Sequence, residues 1–169
     1  MRWFWGGLVL AFLLPTADAS AQNVYESNSK FYSFQMPMTW SVVRERQNED
    51  VVIASPAGIS RGSIYIVLAA PKGSLQDDAN HTFGGGGVTV QSKRTRMVDR
   101  FSCLHVTVTS GRGVPHHNVF CQFTVPYKEG PRRVGIMFGQ AMHPNERFQQ
   151  EPIFERLLSS VKFHPSLQP

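Results

Sequence analysis

Short stretches in which apolar and polar residues alternate follow one another along most of the chain. A half-buried strand shows this period of two, because successive side chains point to opposite faces of a sheet. The continuous apolar run at 63–70 is instead typical of a central, fully buried strand. We predict strands at 31–36, 40–44, 50–54, 63–70, 88–98, 101–109, 118–127 and 132–140. Glycine, proline or charged turns separate the last four of these, which indicates an antiparallel meander.

Two segments carry helical signals. Ser74 can cap a helix at 74–83, and Asp77 and Asp78 lie in its first turn, where the helix dipole favours negative charge. Near the C-terminus apolar residues recur at helical spacing, and Pro152 is tolerated only in a first turn, so we predict a helix at 152–161. We therefore predict an α+β fold: an antiparallel β-sheet flanked by helices, with the C-terminal helix packed on the sheet.

The first 21 residues have the layout of a secretory signal peptide. Met1 and Arg2 form a positive start, an apolar run follows, and Ala19 and Ala21 are the small residues before a cut, so we predict cleavage before Gln22. The apolar run is shorter than the roughly 20 residues that cross a bilayer. We predict a signal peptide at 1–21, a flexible lead at 22–30, one domain at 31–163 and a tail at 164–169. The protein would be periplasmic or secreted, with no transmembrane segment after cleavage.

Composition narrows the class of partner. Hydrophobic residues at 41% and charged residues at 17% describe a globular protein. Cleavage removes one base and one acid, so the mature chain keeps the net charge of +5. This mild excess of positive charge favours anionic surfaces, and export makes nucleic acid an improbable partner.

Cys103 and Cys121 both lie in the mature part, and an even cysteine count in an exported protein predicts a disulfide. If the turn between the two strands centres on Arg112, each cysteine is nine positions from it. The cysteines would then lie directly opposite each other in a hairpin, close enough to bond.

Two segments resemble the PsbP-like domain family. The stretch at 31–40 (FYSFQMPMTW) is similar to the family's opening aromatic strand, proline and tryptophan, and 154–163 (FERLLSSVKF) to its terminal helix. The order of the predicted strands between them agrees as well. The resemblance implies an α/β/α sandwich around an antiparallel sheet and a mostly non-catalytic role, with exported bacterial, DcrB-like members as the most similar kind.

An enzymatic alternative rests on Gly58-Ile59-Ser60-Arg61-Gly62, which fits the G-x-S-x-G pattern of serine hydrolases. In that reading Ser60 is the nucleophile and His105 or His117 is its base. The pattern requires a strand, a sharp turn and a following helix, whereas here a strand follows at once. A hairpin turn rich in small residues is therefore the favoured interpretation.

Arginines form the clearest charged feature. Strand alternation places Arg94, Arg96 and Arg100 on one face, and Arg132 and Arg133 lie nearby in the order of strands. The first interpretation is a solvated sheet face or a protected sheet edge. The second is a surface that binds an anionic lipid or an acidic protein.

The histidines complete no metal site in the sequence. His116 and His117 would point to opposite faces of a strand, and His105 could approach His117 across a hairpin, but no carboxylate or cysteine has the spacing that completes a zinc site. We therefore predict no metal and no cofactor. The sequence favours an exported, non-catalytic accessory or binding protein whose partner is another envelope protein or an anionic surface.

Overall fold

The computed structural model describes residues 23–45, 51–59, 61–111 and 113–169. The predicted signal peptide, Gln22, Ser60 and Arg112 lie outside the described residues. The strands are β1 (Val24–Glu26), β2 (Tyr32–Gln35), β3 (Ser41–Glu45), β4 (Val51–Ala54), β5 (Gly62–Ala69), β6 (Val88–Val98), β7 (Phe101–Ser110), β8 (Pro115–Val125), β9 (Arg132–Met142) and β10 (Lys162–Phe163). The helices are α1 (Leu75–Phe83) and α2 (Arg147–Ser160), and one 3-10 turn, Pro144–Glu146, precedes α2.

Seven strands form the main sheet, in the order β3-β4-β5-β9-β8-β7-β6. Every pairing in it is antiparallel, and β6 to β9 form the predicted meander. The smaller sheet has the order β1-β2-β10. The α+β fold class predicted from the sequence is therefore confirmed.

The main core lies between one face of the large sheet and a cover made of α2 and the small sheet. Phe154, Leu157 and Leu158 of α2 pack in one cluster with sheet residues such as Phe138 and Val119. The C-terminal helix therefore packs on the sheet, as predicted. On the opposite face α1 covers a second, smaller apolar cluster that includes Ala79, Val106 and Phe120.

The two segments that resemble PsbP-like domains meet in space. Strand β10 pairs with β2, and Phe163 is the partner of Tyr32 in that register. Both side chains are buried, at 3% and 2% exposure, within the main core. These motifs therefore form one packing unit that joins the beginning and the end of the domain.

The segments that we predicted as a lead and a tail both form strand-type pairings. The lead at 22–30 contains β1, which pairs with β2 and stacks Tyr25 on Phe34. In the tail, Leu167 is buried and Gln168 forms a bridge to Thr124. We predicted neither pairing: the segment at 22–30 is mostly polar in sequence, and Gln168 lies far from Thr124 along the chain.

Helix α2 begins at Arg147, five positions before the predicted start. Pro152 thus lies inside the helix rather than in its first turn. The carbonyl left without a helical donor is that of Phe148, four positions earlier. Phe148 is 89% exposed, so this turn of α2 lies at the protein surface, where an unpaired carbonyl costs less than in the core.

The disulfide joins Cys103 and Cys121, whose Cα atoms are 4.5 Å apart. The neighbouring register pairs Leu104 with Phe120, which places the two cysteines directly opposite each other. This is the register predicted from a turn centred on Arg112. Among the described residues, no helix is long and apolar enough to span a membrane.

Candidate functional site

A row of polar side chains crosses the otherwise apolar face of the large sheet beneath α2. The row contains Arg94 of β6, His105 of β7, His117 of β8 and Gln140 of β9. The register pairs Arg94 with His105 and His117 with Gln140. His105 and Gln140 are 1% and 0% exposed, so these polar groups require partners inside the protein.

Four of these groups form a continuous hydrogen-bonded series, which we call the polar chain: Arg94, His105, His117 and Glu151. The Arg94 Nε and Nη2 atoms lie 3.3 and 3.2 Å from His105 Nδ1. His105 Nε2 lies 3.1 Å from His117 Nδ1. His117 Nε2 lies 3.0 Å from Oε1 of Glu151, which α2 supplies. The polar chain thus runs from a cation on the edge strand to a carboxylate on the helix.

The hydrogen-bond partners determine which nitrogen of each histidine ring carries the proton. A guanidinium can only donate, so His105 Nδ1 accepts from Arg94 and His105 carries its proton on Nε2. That proton is donated to His117 Nδ1, and His117 then carries its own proton on Nε2, where it is donated to Glu151. Every bond is satisfied while both histidines are neutral.

The environment of His105 strongly favours the neutral ring. Burial, and then the positive charge of Arg94, lower the pKa of His105 to about 4. Protonation would place an N–H on Nδ1, facing the Arg94 donors, so the charged form would also lose that hydrogen bond. His105 is therefore neutral at neutral pH.

A second polar group anchors the start of α2 to the hairpin between β4 and β5. Gln140 Nε2 donates to the Gln150 carbonyl at 2.7 Å, and Gln150 Nε2 donates to Glu146 Oε2 at 2.9 Å and to the Arg61 carbonyl. Gly62 lies so close to Gln150 that a Cβ there would collide with its side-chain amide. A larger residue at this position would therefore displace the Gln150 amide from its bonds.

The same hairpin carries the G-x-S-x-G pattern. Strand β5 begins at Gly62, the last residue of the pattern, so a strand follows it rather than the helix of a hydrolase. His117 Nδ1 faces His105, and His117 Nε2 faces Glu151. Each nitrogen of the His117 ring thus has a partner within the protein.

The five predicted arginines do not form one surface. Arg94 and Arg96 lie on the α2 side of β6, where Arg96 pairs with Glu155 at 3.1 Å. Arg100 is not on that strand face as we predicted; it lies in the turn after β6 and donates to the carbonyls of Phe163, His164 and Leu167 at 3.1, 2.6 and 3.2 Å.

The remaining two arginines lie farther away, on β9. Arg132 pairs with Glu129, and Arg133 donates to the Gly73 carbonyl and to Gln122. Adjacent residues in a strand point to opposite faces, so these two diverge. The order of strands in the sequence therefore led us to expect the five arginines closer together than they are.

Sequence reasoning missed Glu151, the acidic end of the polar chain. The sequence did indicate that Glu151 lies on the buried face of α2, because it is three and seven positions before the buried residues Phe154 and Leu158. Its partner could not be read from spacing, since Glu151 is 34 positions from His117. Among the described residues, no group of three histidine, cysteine, aspartate or glutamate side chains could hold a metal ion.

The fold is similar to that of two proteins of known structure. Cyanobacterial PsbP from Synechocystis has a TM-score of 0.57 and 14% identity, over 89% of this chain and 97% of its own. LpqN of Mycobacterium tuberculosis, described as involved in cell envelope biogenesis, has a TM-score of 0.55 and 10% identity, over 90% of this chain and 88% of its own. No protein-family model and no curated protein matches the sequence. The chain therefore has a PsbP-like fold.

Proposed function

We propose that this chain is an exported, non-catalytic accessory protein of the cell envelope that binds an anionic partner. The polar chain carries the non-catalytic part of this proposal. Both ring nitrogens of His105 and of His117 are engaged within the protein, so the cluster joins α2 to the sheet and presents no free base to a substrate.

Three further observations support an envelope role. The first 21 residues have the layout of a signal peptide. The structure contains a disulfide, which is typical of oxidising compartments. The fold is shared with LpqN, a protein described as involved in envelope biogenesis.

The basic character of the chain supports an anionic partner. The net charge is +5, and such an excess attracts anions through forces that salt screens. Arg94 bonds to His105 within the sheet and Arg96 pairs with Glu155 of α2, so reversing the charge of either arginine would perturb folding as well as binding. Lys93 is exposed and bonded only to Asn80 among the contacts described, which makes it the cleaner probe of surface charge.

Binding can be tested on two immobilised anions, polyglutamate and vesicles that contain an anionic phospholipid. We expect the exported protein to bind at least one of them at low salt, Lys93→Glu to bind more weakly, and high salt to weaken both. Neutral vesicles serve as the matched control. Absence of binding to either anion at low salt would contradict the proposed function.

A hydrolase remains the second candidate, because His117 pairs with a carboxylate and the hairpin with Gly58 to Gly62 is anchored beside that helix. Ester hydrolysis by the wild type and by Ser60→Ala separates the two functions. We expect no hydrolysis that depends on Ser60. Loss of a measurable wild-type activity in Ser60→Ala would favour the enzyme.

A further inference from the structure

Strand β6 is one of the two edges of the large sheet; it has β7 on one side and no strand on the other among the described residues. It is long, at 11 residues, and most of its side chains are exposed. Edge strands of this length present unpaired N–H and C=O groups that can accept another strand. The outer side of β6 is therefore an open hydrogen-bonding surface of this sheet.

The register identifies which backbone groups are open. Cys103 and Cys121, with Cα atoms 4.5 Å apart, form the close, non-hydrogen-bonded type of pair, so the backbone of Cys103 points toward β6. Its partner on β6 is Arg96, which therefore bonds to β7. Lys93, Thr95 and Met97 alternate with the bonded residues and direct their N–H and C=O groups outward.

The side chains along this edge combine positive charge with apolar contacts. Residues 88–98 contain three bases, Lys93, Arg94 and Arg96, and no acid. Met97 is 60% exposed and Val90 is 40% exposed, so apolar surface is available on the same strand. An incoming strand would find outward backbone groups, positive charge and apolar contacts together.

These features indicate which kind of polypeptide segment can pair with β6. Pairing of β6 with a second copy of itself would bring its bases near one another, and like charges across a strand pair are destabilising. An acidic extended segment would instead place carboxylates beside these bases. We propose that β6 binds an extended, acidic segment of a partner protein as an added strand. This inference rests on the proposed function, because it specifies how the anionic partner is held.

The first test varies the probe and leaves the protein unchanged. An eight-residue peptide in which glutamate alternates with valine is compared with the same peptide N-methylated at alternate residues, which keeps the charge and removes half of the donors. Loss of the backbone hydrogen bonds that these donors would form with β6 should weaken binding at least about tenfold. Fluorescence anisotropy of labelled peptides gives both dissociation constants.

The second test varies the edge. Thr95→Pro removes an outward N–H and leaves the bonds to β7 in place, whereas Thr95→Ala keeps the N–H and is the matched control. We expect Thr95→Pro to bind the unmethylated peptide about tenfold more weakly than Thr95→Ala. Thermal unfolding verifies that both variants fold. If Thr95→Pro does not fold, the comparison of methylated and unmethylated peptides tests the inference by itself.

The outcomes separate this inference from the proposed function. Equal binding of both peptides would show that they bind through charge and not through backbone hydrogen bonds. That result would overturn the inference that the partner adds a strand to β6, and the proposed binding of anions would stand. Absence of binding to both peptides, with polyglutamate or vesicles still bound, also overturns the added strand. Absence of binding to every anion would remove the proposed function itself.

Discussion

At the scale of single residues, the polar chain shows how the buried His105 is kept neutral. Arg94 can only donate, so it fixes the tautomer of His105, and His105 in turn fixes that of His117. A fully satisfied buried network gives a defined arrangement, whereas one broken member leaves buried groups without partners. The series therefore makes the attachment of α2 sensitive to a single proton.

We predict that acid destabilises the protein through His105. Its pKa is about 4 in the folded protein, below the value of 6.5 for an unperturbed ring, so the unfolded chain binds more protons between these pH values. The stabilisation is fully present above about pH 6.5 and is lost as pH falls toward 4, by up to about 3 kcal/mol. Urea unfolding at a series of pH values measures this loss.

The matched variant is His105→Gln, which can accept from Arg94 and donate to His117 but does not titrate. Its stability should fall less steeply than that of the wild type between pH 6.5 and 4. Some slope should remain, because burial also lowers the pKa of His116. Identical slopes for variant and wild type would show that His105 does not carry the acid sensitivity.

At the scale of elements, the hairpin of β7 and β8 is pinned by its disulfide. A shift of one residue in register would turn every side chain of a strand to the wrong face. Opposite cysteines exclude that shift, and they hold His105 and His117 on the face beneath α2. The disulfide thus supports the geometry of the polar chain as well as the hairpin.

We predict that the paired replacement Cys103→Ala, Cys121→Ala lowers the free energy of unfolding by about 3 kcal/mol, as expected for closing a loop of this length. The two cysteines are 18 positions apart. Thermal unfolding of oxidised wild type, reduced wild type and the variant gives the comparison. Two freely labelled thiols in protein purified without reductant would refute the bridge.

At the scale of the whole molecule, the beginning and the end of the domain close one core. Strand β10 pairs with β2, and Arg100 donates to three carbonyls of the C-terminal segment. This closure explains why the motifs at 31–40 and 154–163 identify the fold together. The resemblance to PsbP-like domains is confirmed at the level of fold, and the closer likeness to DcrB-like members stays a prediction.

Export is the prediction that concerns the whole chain. Cleavage after Ala21 should leave Gln22, or its cyclised form, at the N-terminus, because small residues occupy the positions before the cut. Mass spectrometry of the protein recovered from the periplasm or medium measures this terminus. Recovery of a mature protein that still begins at Met1 would contradict the prediction.

The sequence by itself determined the meander, the hairpin register and the fold class. In β6 to β9 each strand pairs with its neighbour in sequence, so period-two patterns and turn residues contain enough information to place them. The opposite positions of Cys103 and Cys121 followed for the same reason. Local sequence patterns are enough to predict pairings between strands that are neighbours in sequence.

Only the tertiary structure decided which residues from distant segments meet. Glu151 reaches His117 across 34 positions, β10 pairs with a strand more than a hundred positions earlier, and the five arginines diverge. The tertiary structure also made β6 an edge. These contacts depend on which face of the large sheet is covered by α2 and the small sheet. Burial of apolar surface determines that face, and because the hydrophobic effect is non-directional it acts over the whole chain and leaves no local sequence pattern.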